Sequence, residues 1–289
     1  MDKILLLPIL IPLAGALLVF IIPKRLRQVT EILALSVTFL SLFLAIWLFN
    51  KNLSLSLPWA GFGFEFLLRL YHFSAFILLS VAGFGFLVTL YSTVFMRERK
   101  FRNQFYAYLL LTLSFASGAV LADNLVLMLF FWEGLLLVLF GLIAIGGGFA
   151  FKTATKAFII VGITDLCMMT GIALTGHLAG TLTISRINLP LGGLGSLAFI
   201  LLMIGAISKG GSMPFHSWIP DAAQDAPLPF MALVPASLEK LLGIYLLARI
   251  SLDMFRLDPG SWISVMLMII GAATILLAVM MALVQKEYK

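Results

Sequence analysis

Long apolar runs, separated by short polar or Gly/Pro punctuation, make up most of the chain. Each approaches the roughly 20 residues that a helix needs to cross hydrocarbon. Nine spans follow from the pattern: 4–22, 29–49, 72–95, 105–122, 125–146, 154–178, 195–213, 229–250 and 262–284. None alternates apolar and polar positions as a membrane barrel strand does. The fold class predicted is all-α, a polytopic membrane helix bundle of about nine transmembrane helices, with the seventh discontinuous. That run breaks at Gly210-Gly211, and prolines follow at Pro214, Pro220, Pro227, Pro229 and Pro235. Irregular backbone at membrane depth survives only inside protein or beside a wet cavity. A short second half is expected through the Pro214–Pro220 segment. Residues 50–70 alternate Ser and Leu and then turn at Pro58-Trp59-Ala60-Gly61, which suggests a hairpin outside the membrane.

Composition agrees with the pattern. Of 289 residues, 62% are hydrophobic and 11% charged, against about 25% charged in an ordinary soluble domain. The first run is followed by Lys24, Arg25 and Arg27, as in a retained helix rather than a cleaved leader. One cysteine, Cys167, excludes an internal disulfide framework and a four-cysteine cluster. The net charge of +6 comes from loops between spans, so it does not imply a nucleic-acid partner. One side holds Lys24, Arg25, Arg27, Arg97, Arg99, Lys100, Arg102, Lys152, Lys156, Lys286 and Lys289. The other holds Lys3, Lys51, Arg69, Arg186, Arg249 and Arg256. Basic residues favour the cytoplasm, which puts the N-terminus outside and the C-terminus in the cytoplasm.

Ionisable residues inside the spans carry the candidate chemistry. Glu133 lies in the fifth span, Asp165 in the sixth, Lys209 in the seventh, and Lys240 in the eighth beside Glu239. Each charge costs about 2.5–3.5 kcal/mol at the middle of a helix on insertion scales. Two readings stay open. The charges are structural pairs, Glu133 with Lys209 and Glu239 with Lys240, or they handle protons or other ions. One pair near 4 Å at an effective dielectric of about 20 is worth about 4 kcal/mol. Approach and withdrawal of Glu133 would then decide whether Lys209 holds its proton, with Lys240 the next stop. His216, in the break, either bonds a freed carbonyl or joins this path. His72 and His177 sit at span ends and read as interfacial. No residue set has metal-ligand spacing. Gly146-Gly147-Gly148 ends a span as a helix stop rather than a phosphate loop. No catalytic nucleophile and no cofactor are predicted.

The segment SKGGSMPFHSWIPDAAQDAPLPFMALVPASLEKLLGIYLLAR, with WEG in the fifth span and ATKAFIIVGITD in the sixth, resembles the antiporter-like proton-translocating family. That family includes the large membrane subunits of respiratory complex I, Mrp-type cation/proton antiporters, and subunits of membrane-bound hydrogenases and formate hydrogenlyases. The resemblance implies that Glu133 and Lys209 are the central proton-transfer pair. It sets Lys240 near the family's eighth-helix Lys or His, and matches Lys156 and Asp165 to the KAF…D pattern. The third span departs from the family: Leu70-Tyr71-His72-Phe73-Ser74 lacks the aspartate of its L-D-x-x-S start.

On this resemblance the chain divides into an N-terminal three-helix segment (1–104), a five-helix ion-translocation repeat (105–250), and a ninth helix with a cytoplasmic tail (251–289). The tail, ALVQKEYK, resembles the junction into a second, inverted repeat, so a separate chain or a longer gene is expected to carry that repeat. The expected partners are other membrane subunits, soluble redox subunits acting indirectly, H⁺ or Na⁺, and the lipid of a prokaryotic plasma membrane. Three functions are open: an ion-translocating subunit of a redox-driven complex, a subunit of a Mrp-type antiporter, and a structural scaffold. The wording SLEKLLGIYLLAR is nearest to hydrogenase-type members and favours the first.

Overall fold

The computed structural model describes residues 2–23, 25–59, 61 and 65–284. Lys24, Ala60 and the tail with Lys286 and Lys289 lie outside them. A 3₁₀ turn leads into α1 (Leu7–Ile21). Then follow α2 (Arg27–Leu48), α3 (His72–Phe95), α4 (Arg102–Leu121), α5 (Leu125–Ala144) and α6 (Ala150–Ala179). Next are α7 (Leu194–Lys209), α8 (Ile219–Asp225), α9 (Leu228–Leu233), α10 (Glu239–Arg249) and α11 (Trp262–Val284). Among the described residues, eight helices are long and apolar enough to cross a membrane, counting Leu228–Met254 as one; α7, at 16 residues, is shorter. The bundle is therefore multi-pass and helical, as the hydropathy predicts.

Helices α4, α5, α6, α7 and α10 close a ring, each packing on the next and α10 returning to α4. α1 covers α4, and α2 packs on α3. α4 is buried along most of its length, whereas α11 buries only Ile263 and Ser264. The strand pairing expected of residues 50–70 forms, while the turn expected at 58–61 includes Ala60, outside the described residues. β1 (Leu53–Pro58) pairs antiparallel with β2 (Glu65–Leu70), from Leu53↔Leu70 to Pro58↔Glu65.

The predicted break falls at the diglycine, and α7 ends at Lys209 rather than at the limit drawn at 213. Gly211 takes φ +72°, a left-handed conformation that costs a glycine little. Its N–H donates to Ser208 O (2.9 Å) and that of Ser212 to Ile207 O (3.0 Å). These two bonds are a Schellman stop, and they satisfy carbonyls that would otherwise be orphaned at depth. Beyond it, a 3₁₀ turn (Phe215–Trp218) leads into α8, the expected second half.

The eighth span is also irregular, which the pattern did not predict. Residues Val234–Leu238 form a π-helical turn between α9 and α10. Pro235 lacks an N–H to donate, and Ser237 Oγ donates to Ala232 O and Leu233 O, both at 2.7 Å. α10 then packs tightly on the end of α7. A Cβ on Gly243 would lie 2.5 Å from both Ala206 O and Gly210 N. Gly243→Ala is expected to destabilise the protein by about 1–3 kcal/mol through overpacking against backbone that cannot yield, measurable as a lower unfolding midpoint in detergent.

Candidate functional site

The ring places one lysine among three carboxyls. Lys209, in the last turn of α7, is 1% exposed. Glu133 of α5, Asp165 of α6 and Glu239 of α10 all lie within its electrostatic reach. Asp165 and Glu239 are buried, at 2% and 5% exposure, and Glu133 is half-buried. Four helices thus each contribute one ionisable group to a site inside the bundle.

Lys209 and Glu133 do not touch directly, contrary to the close pair that the sequence suggests. The Nζ of Lys209 instead donates to the backbone oxygen of Trp132 at 3.4 Å and sits 4.9 Å from the centre of that indole. Trp132 Nε1 donates to Asp165 Oδ1 at 3.0 Å, so the indole bridges α5 to α6 beside the lysine. The reason is geometric. Glu133 follows Trp132 by one residue, about 100° around the helix, so the two side chains leave α5 in different directions. Glu133 Oε1 and Asp165 Oδ2 are buried with no hydrogen-bond partner among the described residues. Such an orphaned acceptor costs about 1–3 kcal/mol in a purely structural site.

The second suggested pair does not form either. Glu239 points into the ring, where Lys209 and Asp165 are the charges it senses, whereas Lys240 is exposed. Consecutive helical residues diverge, and the π turn fixes which of the two faces inward. Lys240 lines a cavity of about 710 Å³ with His216, Gln224 and Met231, closed on one side by Thr274 and Ala278 of α11. His216 Nδ1 is buried without a partner among the described residues, so the carbonyl bond suggested for it is not made through that nitrogen.

Lys156 has a clear local task. It is not a loop charge but lies within α6. Its Nζ donates to Asp221 Oδ2 (2.7 Å) and to Ser217 O (2.9 Å). Thr153 Oγ1 donates to Asp225 Oδ2 (2.5 Å) on the same side. The first turns of α6 therefore clasp the broken segment. The Lys156–Asp221 pair is 42% and 46% exposed, so it contributes at most about 1 kcal/mol. At the middle of α6, Thr164 Oγ1 donates to Ser208 Oγ (2.8 Å) in the last turn of α7, fixing the two helices together next to Lys209.

Two arginines that the span pattern assigns to loops are buried. Arg249, 3% exposed, donates to Asp123 Oδ1 (3.0 Å), Ala122 O (2.8 Å) and Asp253 Oδ2 (3.4 Å). Asp123 also accepts from Ser185 Oγ at 2.6 Å, and Tyr71 OH donates to Asp253 at 3.3 Å. Tyr71, which stands where the resemblance leads to an aspartate, thus shares the carboxylate of Asp253 with Arg249. Arg102, 4% exposed, pairs with Glu31 at 2.9 Å. The signal available for Arg249 was its partner: Asp123 sits in a two-residue link between the spans 105–122 and 125–146, too short to reach far into water.

Residues 122–289 match the family described as NADH:quinone oxidoreductase/Mrp antiporter, TM. NADH-quinone oxidoreductase subunit L of Pseudomonas aeruginosa is 34% identical over 79% of this chain and 38% of its own length. A probable K(+)/H(+) antiporter subunit of Rhizobium meliloti is 28% identical over 100% of this chain and 30% of its own length. The chain thus spans between 30% and 38% of the length of these curated relatives. The fold is similar to that in the Mrp complex from Dietzia sp., with a TM-score of 0.75, 24% identity, and coverage of 86% of this chain and 28% of that one.

Proposed function

Because this chain belongs to the NADH:quinone oxidoreductase/Mrp antiporter transmembrane family, we propose that it moves protons across the membrane through the cluster of Glu133, Asp165, Lys209 and Glu239. The observation that carries the reading is Lys209, 1% exposed, faced by three carboxyls from three other helices. A largely buried site cannot cheaply hold uncompensated negative charges, so the cluster as a whole keeps exchangeable protons. The orphaned oxygens of Glu133 and Asp165 are acceptors ready for them. Lys240 and His216, on the cavity beside the break, extend the path toward the side of α8. Lys156 acts by holding α8.

The chain is an antiporter-like membrane subunit, and its relatives are subunits of multi-subunit complexes. In our reading it works beside other membrane subunits of a redox-driven complex in a prokaryotic plasma membrane, with the N-terminus outside. The resemblance to hydrogenase-type members supports this. The similarity of the Rhizobium meliloti antiporter protein along the whole of this chain favours a second reading, a Mrp-type antiporter. Assembled complex in vesicles loaded with a pH dye tests the proposal: wild type passes protons and Glu133→Gln does not. Normal flux in Glu133→Gln would sink it. Iron–sulfur subunits co-purifying with the chain support the redox-driven reading, and their absence from an active assembly supports the second.

A further inference from the structure

At one end of the bundle, α2 begins, α3 ends and α4 begins. The three ends enclose a pocket of about 530 Å³ lined by Arg27, Glu31, Val94, Arg97, Glu98 and Arg102. We propose that this pocket binds the phosphodiester headgroup of an anionic membrane lipid.

The pocket is built around a buried guanidinium. Arg102 is 4% exposed. Its Nη1 donates to Glu31 Oε1 at 2.9 Å and lies 3.5 Å from Arg97 O. Its Nε is buried and has no acceptor among the described residues. Two neighbours share that condition: Thr30 Oγ1, beside Glu31, and Tyr106 OH, one turn beyond Arg102, are fully buried and unpartnered among the same residues. Arg27 and Arg97 stand exposed on the rim. Three guanidiniums face two carboxylates. Of these, Glu31 is engaged by Arg102, and Glu98 is exposed to water. The first turns of α2 and α4 also direct unpaired backbone N–H groups to this end. The planar fork of a guanidinium matches two phosphate oxygens at once, which a point charge does not.

A lipid is the occupant favoured by what lies below. Val94, in the lining, is 80% exposed. Down the same helices Leu90, Leu87 and Ile32 are 49%, 60% and 63% exposed, an apolar surface suited to acyl chains. Arg25, Arg99 and Lys100 are exposed on the adjoining loops. Basic pockets between membrane helices on the cytoplasmic side accept anionic headgroups, and the charge asymmetry of the loops puts this end there.

The test uses the full chain, extracted in neutral detergent, stripped of lipid and titrated by native mass spectrometry. Phosphatidylglycerol is expected to bind and phosphatidylcholine to bind far more weakly. The rim double variant Arg27→Gln/Arg97→Gln should keep its helix content and bind phosphatidylglycerol roughly tenfold or more weakly. It leaves the Arg102–Glu31 pair intact, so folding is not at stake. Three results overturn the proposal: wild-type affinity in the double variant, equal binding of the two lipids, or full displacement by millimolar inorganic phosphate, which would make the site one for free anions.

Discussion

Lys209→Met abolishes proton flux and leaves the protein folded. Methionine matches the lysine's unbranched length, and such volume-conserving exchanges cost less than about 1.5 kcal/mol. The lysine has little bonding to lose: one hydrogen bond to Trp132 O at 3.4 Å. What the variant lacks is the ammonium that makes three carboxyls in one largely buried site tolerable. Without it the carboxyls hold their protons, because a buried site does not tolerate unpaired charge, and the relay stops. Flux into dye-loaded vesicles, read beside the unfolding midpoint in detergent, separates the two effects. Flux at the wild-type rate removes Lys209 from the path. A large fall in stability would instead make it a structural residue.

Arg249→Met has the opposite profile. Here the bonding is dense: Arg249 reaches Asp123, Ala122 O and Asp253, and is 3% exposed. Its loss leaves Asp123, 6% exposed, with only Ser185 to answer its charge. Breaking one half of a buried pair typically costs about 3–5 kcal/mol. The expected result is a protein that assembles poorly, or unfolds at much lower denaturant, before transport is assayed. Adding Asp123→Asn should restore most of that stability, since the stranded charge is gone. A single variant within about 1 kcal/mol of wild type would show that the network contributes little beyond the surface-pair range.

These two residues show what was legible in the sequence. Lys209 stands alone in an apolar run just before Gly210-Gly211, so both its burial and the helix stop were readable from local context. The same holds for Glu133 and Asp165, isolated in their spans. Arg249 and Arg102 stand at span ends, where the local sequence of a solvated loop charge and of a buried one is the same. Only their partners distinguish them. Asp123 is 126 positions from Arg249 and Glu31 is 71 from Arg102, separations that no spacing rule bridges. The contact of Lys209 with Trp132 rather than Glu133 was hidden for a related reason. Adjacent residues on a helix give no sign, from sequence alone, of which one a distant lysine will reach.

The π turn at Val234–Leu238 has a consequence for comparing this helix with others. Phe230 and Glu239 are nine residues apart, two and a half turns of a regular helix, and so would stand on opposite sides. Both are buried, at 0% and 5% exposure. The wide turn resets the phase, so the inward face of Leu228–Arg249 is two stripes joined at Pro235 rather than one. A periodicity drawn straight through that joint puts Glu239 and Lys240 out of phase with the residues before them. Phase has to be counted separately on each side of the turn, and counted that way the carboxyl belongs to the ring and the ammonium to the cavity.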